Sequence, residues 1–246
     1  MYIYGIHPVE EVLRRAPEAI KQIVVVGGLN QKQFSTVEEL WKGTGIAVQK
    51  VSVQELDEWS EGGNHQRIAA RVEEFPYASM EEVLRRTESN PKACLLALDQ
   101  VQDPGNLGAI LRSAAALGVH GVLIPRHRSA SITAAVVRSS AGMAFQLPIV
   151  EVTNLARCLK ELKEHGFWVV GTVADQGQDL WSLDWEMKAV VVMGGEHKGI
   201  RPGIEKVSDF RVEIPLAPEV ESLNVSAAAA VTLYDRLRSL RRGGEN

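Results

Sequence analysis

Apolar and polar positions follow two different rhythms along this chain. From Ala93 onward, short apolar runs stand at Cys94 to Leu98, Gly121 to Ile124, Phe167 to Val173, Ala189 to Met193 and Phe210 to Ile214. Between them lie segments whose apolar residues keep helical spacing: Leu107 to Leu117, Ile132 to Ser140, Leu155 to Glu164 and roughly Arg201 to Val207. Near-continuous apolar strands alternating with amphipathic helices predict a parallel sheet covered on both faces. In such a domain the loops that follow the strands share one rim, where ligands bind. Those loops are Asp99 to Gly105, Ala174 to Gln178, Gly194 to Gly199 and Leu216 to Ser222.

The first 75 residues read as a smaller α/β unit. Ile6 to Leu13 predicts a helix with Pro8 in its first turn, Gln22 to Val26 a β-branched strand, Ser35 to Lys42 a second helix, and Arg67 to Val72 a short strand after the Gly62-Gly63 turn. No catalytic constellation stands here, and the isolated His7 and His65 read as structural or solvent-facing. Residues 76–92 carry Pro76, a charged helix and a polar run ending at Pro91, and read as a linker to a second domain at 93–246.

Composition narrows the class. With 246 residues, 45% of them hydrophobic and 24% charged, the chain has the make-up of a soluble protein. Its first residues, MYIYGIHPVEEVLRR, show no targeting pattern, and no apolar window is long enough for a bilayer span, so a cytoplasmic protein is expected. Cys94 and Cys158 suggest neither a disulfide framework nor a thiolate metal site. The net charge of −4 speaks against unselective coating of nucleic acid. Local balance differs: residues 1–75 carry eight Lys or Arg against eleven Asp or Glu, whereas residues 93–150 carry four Arg against Asp99 and Asp103. A further basic group, Arg236, Arg238, Arg241 and Arg242, closes the chain.

Three rim loops carry the candidate chemistry. In DPGNLGAILRSA, residues 103–114, Pro104-Gly105 makes a turn, Asn106 is placed to cap, and Arg112 falls off the buried stripe, either as a solvated residue or as a functional one. In VVVMGGEHKGIRPG, residues 190–203, Gly194-Gly195 permits close backbone approach by a ligand, while Glu196 is either an exposed carboxylate or a partner for Arg112. Neither a dinucleotide fingerprint nor a P-loop is present, and His197 has no second ligand at metal-binding spacing. In EIPLAPEVESLNVSAAAA, residues 213–230, a strand breaks at two prolines before a helix whose Leu223, Ala227, Ala230, Tyr234 and Leu237 keep helical spacing. Ser222 and Asn224 at its entrance either cap it or face a ligand.

In series, these loops resemble the three motifs of the SpoU or TrmH-type RNA ribose 2'-O-methyltransferases, and the opening YGIHPVEEVL is similar to the ribosomal-protein-like substrate-binding domain of the ribosomal RNA branch. The resemblance implies a parallel α/β domain whose carboxyl-terminal segment forms a deep trefoil knot, a feature no periodicity would suggest. It also implies S-adenosylmethionine as cofactor without a metal, a homodimer with the active site completed across the interface, and RNA as substrate, with ribosomal RNA favoured over tRNA. By the same resemblance, Gly194, Ile214 and Leu223, with Thr172, Gly195 and Leu216 nearby, match the cofactor positions, and Asn106, Arg112, Glu196, Ser222 and Asn224 the catalytic ones. Because arginine is a poor base, Arg112 is expected to bind the phosphate flanking the target ribose and polarise the 2'-oxygen, with Glu196 orienting it. Arg126, Arg128 and Arg138 match the segment near the target nucleotide.

Other readings would be a transfer RNA ribose methyltransferase, a non-catalytic RNA-binding protein on the same fold, or a nicotinamide-dependent oxidoreductase. The amino-terminal extension favours ribosomal RNA, the five matching site residues favour catalysis, and the missing glycine fingerprint speaks against a nicotinamide cofactor.

Overall fold

The computed structural model describes residues 1–27, 31–60, 62–196 and 199–243, and the chain divides into two compact units. His197 and Lys198, together with the Arg242 side chain, lie outside the described residues. The first unit comprises Met1–Pro76 and Ile132–Gln146, the second Tyr77–Ser131 and Leu147–Asn246.

The first unit opens with β1 (Tyr2–Tyr4), α1 (Ile6–Arg15), β2 (Ile20–Val26), α2 (Gln31–Trp41), β3 (Ala47–Val51), α3 (Val53–Trp59) and β4 (Ile68–Val72). Its sheet has the order β1-β4-β2-β3, antiparallel except between β2 and β3. Helix α1 forms because Ile6, Val9, Val12 and Leu13 fall on one face and are buried. The sequence gives no sign of β3, since four of its five residues are exposed and no alternation marks it. Helix α3 escapes periodicity for a similar reason: Leu56 alone is buried, and the helix is held at its start by a capping box between Ser52 and Glu55.

The second unit begins before the expected domain boundary. Residues 76–92 are not a free linker: α4 (Met80–Thr87) is capped by Ser79 and buries Val83 in the same apolar core as Leu95, Leu123 and Val190. There follow β5 (Cys94–Asp99), α5 (Pro104–Ala116) and β6 (Gly121–Pro125). The chain then returns to the first unit through 132–146, with α6 (Ala134–Ser139). There Gln146 donates to Glu11 at 2.7 Å, and Phe145 packs on Phe75 with ring centroids 5.0 Å apart. The second unit resumes with β7 (Ile149–Val152), α7 (Leu155–Glu164), β8 (Trp168–Thr172), β9 (Gln178–Asp179), β10 (Ala189–Gly194), α8 (Pro202–Glu205), β11 (Phe210–Glu213) and α9 (Val225–Gly243).

Every pairing described in the second sheet is parallel, in the order β7-β6-β5-β10-β8-β11-β9. All residues of β5 and β6 are buried, as the unbroken apolar runs predict for central strands covered on both faces. Strand β10 lies between β5 and β8, so the loops leaving β5, β10, β8 and β11 are neighbours on one rim. No described helix is long and apolar enough to cross a membrane.

Candidate active site on the carboxyl-terminal rim

Helix α5 is entered through a cap that differs from the one expected. Asp103 is the capping residue, its carboxylate accepting from the Asn106 backbone N–H at 2.7 Å, and Pro104 occupies the first turn, where its missing N–H costs nothing. The Asn106 side chain is thereby free for another use. Its Nδ2 donates to Glu196 Oε1 at 3.0 Å, and its Oδ1 accepts from Asn224 Nδ2 at 3.0 Å. Asn224 in turn accepts, through Oδ1, from the backbone N–H of Ser226 at 2.9 Å and from its hydroxyl at 2.6 Å. The capping reading of Asn224 is realised through Oδ1, while its other amide end is bonded to Asn106. One directed chain of hydrogen bonds joins residues 90 and 118 positions apart in sequence and ties together the loops after β5, after β10 and before α9.

Glu196 is held as an anion. Burial pushes its carboxyl up, but the Asn106 amide and the backbone groups of Glu196, Asp103 and Gln102 hydrogen-bond the charged form and keep it below the usual carboxylate range. Two of those residues lead into α5, whose positive end adds to the same effect. A carboxylate so held is unsuited to storing a proton near neutrality. It is instead a fixed negative charge that polarises Asn106 and, through it, Asn224.

Glu196 does not orient Arg112, contrary to expectation. Arg112 is exposed and makes no hydrogen bond or ion pair among the described residues. The helix geometry explains this, because six residues separate Arg112 from Asn106, about 9 Å along the axis and roughly 120° around it. Within one chain, Arg112 therefore stands apart from the Asn224–Asn106–Glu196 cluster. Ser222 is exposed on the loop leading to that cluster.

The segment that carries Glu196 is fixed by a pair that sequence reasoning missed. Asp99 ends the apolar strand β5, is completely buried, accepts from the Arg201 backbone N–H at 2.8 Å and from Nε at 2.8 Å, and is ion-paired with Nη2 at 2.7 Å. A carboxylate terminating an otherwise apolar run was the available signal, since a buried charge demands a partner. Gly194 and Gly195 are required in the same place. A Cβ on Gly194 would overlap the Gly199 and Ile200 backbone, and one on Gly195 would lie 2.6 Å from the Gln100 carbonyl oxygen.

The expected cofactor residues gather on three adjacent strand ends. Thr172 closes β8, Gly194 closes β10 and Ile214 follows β11, with Val192 paired to Gly171 and Val212 to Thr172 across them. The Thr172 hydroxyl donates to the Val192 carbonyl at 2.9 Å, which fixes the end of β8 and leaves its methyl as an apolar surface. Ile214 and Leu216, after β11, are half-buried, as are Gly194 and Gly195 at the end of β10, and Leu223 is exposed. Apolar side chains and glycine backbone at neighbouring strand ends suit a neutral heteroaromatic base.

The expected RNA contacts are split. Arg126 is paired with Glu151 at 3.6 Å, and Arg128 is exposed, on the loop after β6. Arg138 belongs to the first unit, where its guanidinium lies 5.2 Å from the Tyr4 ring centroid. Among the described residues no group of three or more His, Cys, Asp or Glu is arranged to hold a metal.

Two family profiles match the chain. The profile described as RNA 2'-O ribose methyltransferase substrate binding matches residues 2–78, and that of the SpoU rRNA Methylase family matches residues 93–234. The chain is 42% identical over 239 residues to the 23S rRNA (guanosine-2'-O-)-methyltransferase RlmB of Pseudomonas aeruginosa, covering 96% of this chain and 95% of that protein. It is 37% identical over 236 residues to its namesake in Escherichia coli, covering 96% and 97%. Among solved structures, the AdoMet-bound rRNA methyltransferase of Sinorhizobium meliloti superposes with a TM-score of 0.82 at 25% identity, covering 97% of this chain and 87% of that one. The chain belongs to the SpoU rRNA methylase family.

Proposed function

We propose that this protein transfers a methyl group from S-adenosylmethionine to the ribose 2'-hydroxyl of a guanosine in large-subunit ribosomal RNA. The observation that carries the reading is the Asn224–Asn106–Glu196 chain, which joins the three motif loops beside the strand ends suited to the cofactor. The names of the Pseudomonas and Escherichia relatives, which match nearly end to end, support the ribosomal RNA and guanosine assignments. They also support a cytoplasmic location, where ribosomal RNA is made.

The cofactor, when bound, supplies an electrophilic methyl group on sulfonium. Thr172, Gly194, Gly195, Ile214, Leu216 and Leu223 would hold it, through apolar contact and backbone hydrogen bonds. The remaining work falls to the chain's polar groups. Asn106 and Asn224, ordered by ionised Glu196, present amide groups that hold the ribose so that its 2'-oxygen lies in line with the bond to be broken. Ser222 lies on the loop that would close over the ribose. Arg112 binds the flanking phosphate and polarises the 2'-oxygen, and the proton leaves to a phosphate oxygen or water, because Glu196 is too weak a base and arginine is not one.

Since Arg112 stands apart from the cluster of its own chain, a second copy would supply it, and the active unit is a homodimer. The exposed stripe Ala227, Val231 and Tyr234 on α9 offers the apolar surface such a pairing needs, with Tyr234 60% and Val231 40% exposed.

The test is transfer of labelled methyl from S-adenosylmethionine to protein-free ribosomal RNA and to bulk tRNA, with the product mapped as alkali-resistant dinucleotides. Label at one linkage of ribosomal RNA, lost in both Arg112→Ala and Asn106→Ala, is the expected result. Label confined to tRNA, or alkali-labile label on a base, would refute the assignment.

A further inference from the structure

We infer that the cavity between the ends of β6 and β7 is a subsite for a backbone phosphate of the RNA strand, a reading that rests on the activity proposed above. The cavity holds about 410 Å3 and is lined by His127, Arg128, Asn154, Ala156 and Arg201, among others, with no acidic side chain on its wall. Arg201 enters it already oriented. Asp99 takes Nε and Nη2, which leaves the Nη1 donors for another acceptor, and the side chain is 43% exposed. Asp99, wholly buried beneath the guanidinium, offsets its charge but leaves the Nη1 edge as hydrogen-bond donors, so the net positive charge at the cavity rests on Arg128.

Arg128 is set up differently. Its backbone is left-handed, with φ of 59°, a conformation that a non-glycine residue adopts only when its surroundings impose it. Here the surroundings are the loop after β5: the Arg128 carbonyl accepts from Gln102 Nε2 at 3.4 Å, and Ala130 N–H donates to the Val101 carbonyl at 2.9 Å. Its guanidinium is exposed and has no partner among the described residues, whereas that of neighbouring Arg126 is occupied by Glu151. Two unspent guanidinium faces and a histidine around a concave, acid-free wall select an anion. The first turn of α7, whose Leu155 and Ala156 N–H groups have no intrahelical acceptor, adds to that preference.

Position favours the RNA strand over a free ion. The cavity lies between β6 and β7 and Glu196 over the junction of β5 and β10, two strand steps apart, so at ~4.8 Å per step the two are about 10 Å apart along the rim. A strand whose ribose sits at the Asn224–Asn106–Glu196 cluster would thus pass a phosphate a few linkages away over Arg128 and Arg201. The loop bearing Arg128 is hydrogen-bonded to the loop leading to Asn106, so the two contacts hold one register.

The experiment uses two variants of the full chain, Arg128→Gln and Ala156→Asp. The second sets a carboxylate on the cavity wall in the first turn of α7; because Ala156 is half-buried against the apolar core, circular dichroism and the affinity for S-adenosylmethionine are compared with wild type to establish that the fold is kept. Each should raise KM for ribosomal RNA about tenfold, leave kcat at saturating RNA within about twofold and leave the affinity for S-adenosylmethionine unchanged. In Arg128→Gln the dependence of log KM on log salt should flatten by roughly 0.7 to 0.9. A wild-type enzyme that transfers methyl, with both variants retaining its KM and salt dependence, would overturn the subsite and spare the activity. Binding of inorganic phosphate that Arg128→Gln abolishes without moving KM would overturn it in favour of a free-anion site. A wild-type protein that transfers no methyl to any RNA would overturn the activity and the subsite with it.

Discussion

Replacing Asp99 by alanine should loosen the whole second unit, and the structure sets the size of the effect. Asp99 is fully buried and accepts two hydrogen bonds from Arg201, one of them from the backbone, with Nη2 ion-paired at 2.7 Å. Breaking a buried pair of this kind costs about 3–5 kcal/mol. The Arg201 guanidinium is 43% exposed, so water takes over its donors and the loss falls toward the lower bound, about 3 kcal/mol. For a unit of this size each kcal/mol lowers the midpoint by roughly 2–4 °C, giving a fall of about 6–12 °C. Calorimetry can follow this, with the unfolding of the second unit marked by near-ultraviolet circular dichroism of the buried Trp185. Asp99→Asn, which keeps the shape and one acceptor but turns an amide N–H2 toward a cation, should lose about half as much. The affinity for S-adenosylmethionine should fall in parallel, because Gly194 and Gly195 precede the tethered residue on the same segment. A midpoint lowered by less than about 2 °C in Asp99→Ala would refute the assignment of this pair as the tether.

Four further outcomes follow from the same geometry. Glu196→Gln keeps the shape of the carboxylate but removes its charge, so kcat should fall about tenfold or more with S-adenosylmethionine affinity little changed, measured by steady-state methyl transfer. Because the folded-state pKa of Glu196 is lowered, its contribution is present above the ordinary carboxylate range and is lost only as pH falls through the depressed value; an acid limb near neutrality that Glu196→Gln abolishes would contradict this. Gly194→Ala forces a methyl into the Gly199 and Ile200 backbone and should cost about 1–3 kcal/mol together with most cofactor binding, read by calorimetry and titration. Tyr234→Asp should convert a dimer to a monomer by light scattering with circular dichroism unchanged, and abolish transfer if Arg112 acts across the interface. Finally, burial pushes the Cys94 thiol up and, with Glu161, the Cys158 thiol up to about 11, so neither should react with a disulfide reagent at about pH 8 until the protein unfolds.

The parallel sheet was legible because β5, β6 and β10 bury nearly every residue, and an unbroken apolar run is what two covered faces require. Helix α9 was legible as a helix but not in orientation. The apolar residues chosen from spacing include Leu223, Ala227 and Tyr234, which are exposed, while Val225, Ala229 and Leu233 face inward. An alanine-rich helix offers too little contrast in hydrophobicity to fix its rotation. Strand β3 was invisible since it is an exposed edge, and α4 read as a linker since its burial depends on Val83 and its immediate neighbours. The residues of the site were legible as motifs, but their partners were not. That Glu196 would meet Asn106 rather than Arg112 is decided by helix geometry and by the Asp99–Arg201 tether, neither of which spacing along the chain displays.

An ionised carboxylate in a site for a polyanion poses a question that the distribution of charge along the rim answers. Glu196 stands over the junction of β5 and β10, hydrogen-bonded and held anionic, and would repel a phosphate placed beside it. Arg128 stands toward β6 and β7, beside the neutral Asp99–Arg201 pair. On the proposed activity the rim would thus be polarised along the sheet, negative at Glu196, where the 2'-hydroxyl would sit, and positive at Arg128, where a phosphate would lie. A ribose carries no charge, so it tolerates the carboxylate end, and hydrogen bonds from the Asn106 and Asn224 amides gain strength from the charge behind them. On the proposed activity, the charge that orders the Asn106 and Asn224 amides would also favour an uncharged ribose over a phosphate at its end of the rim.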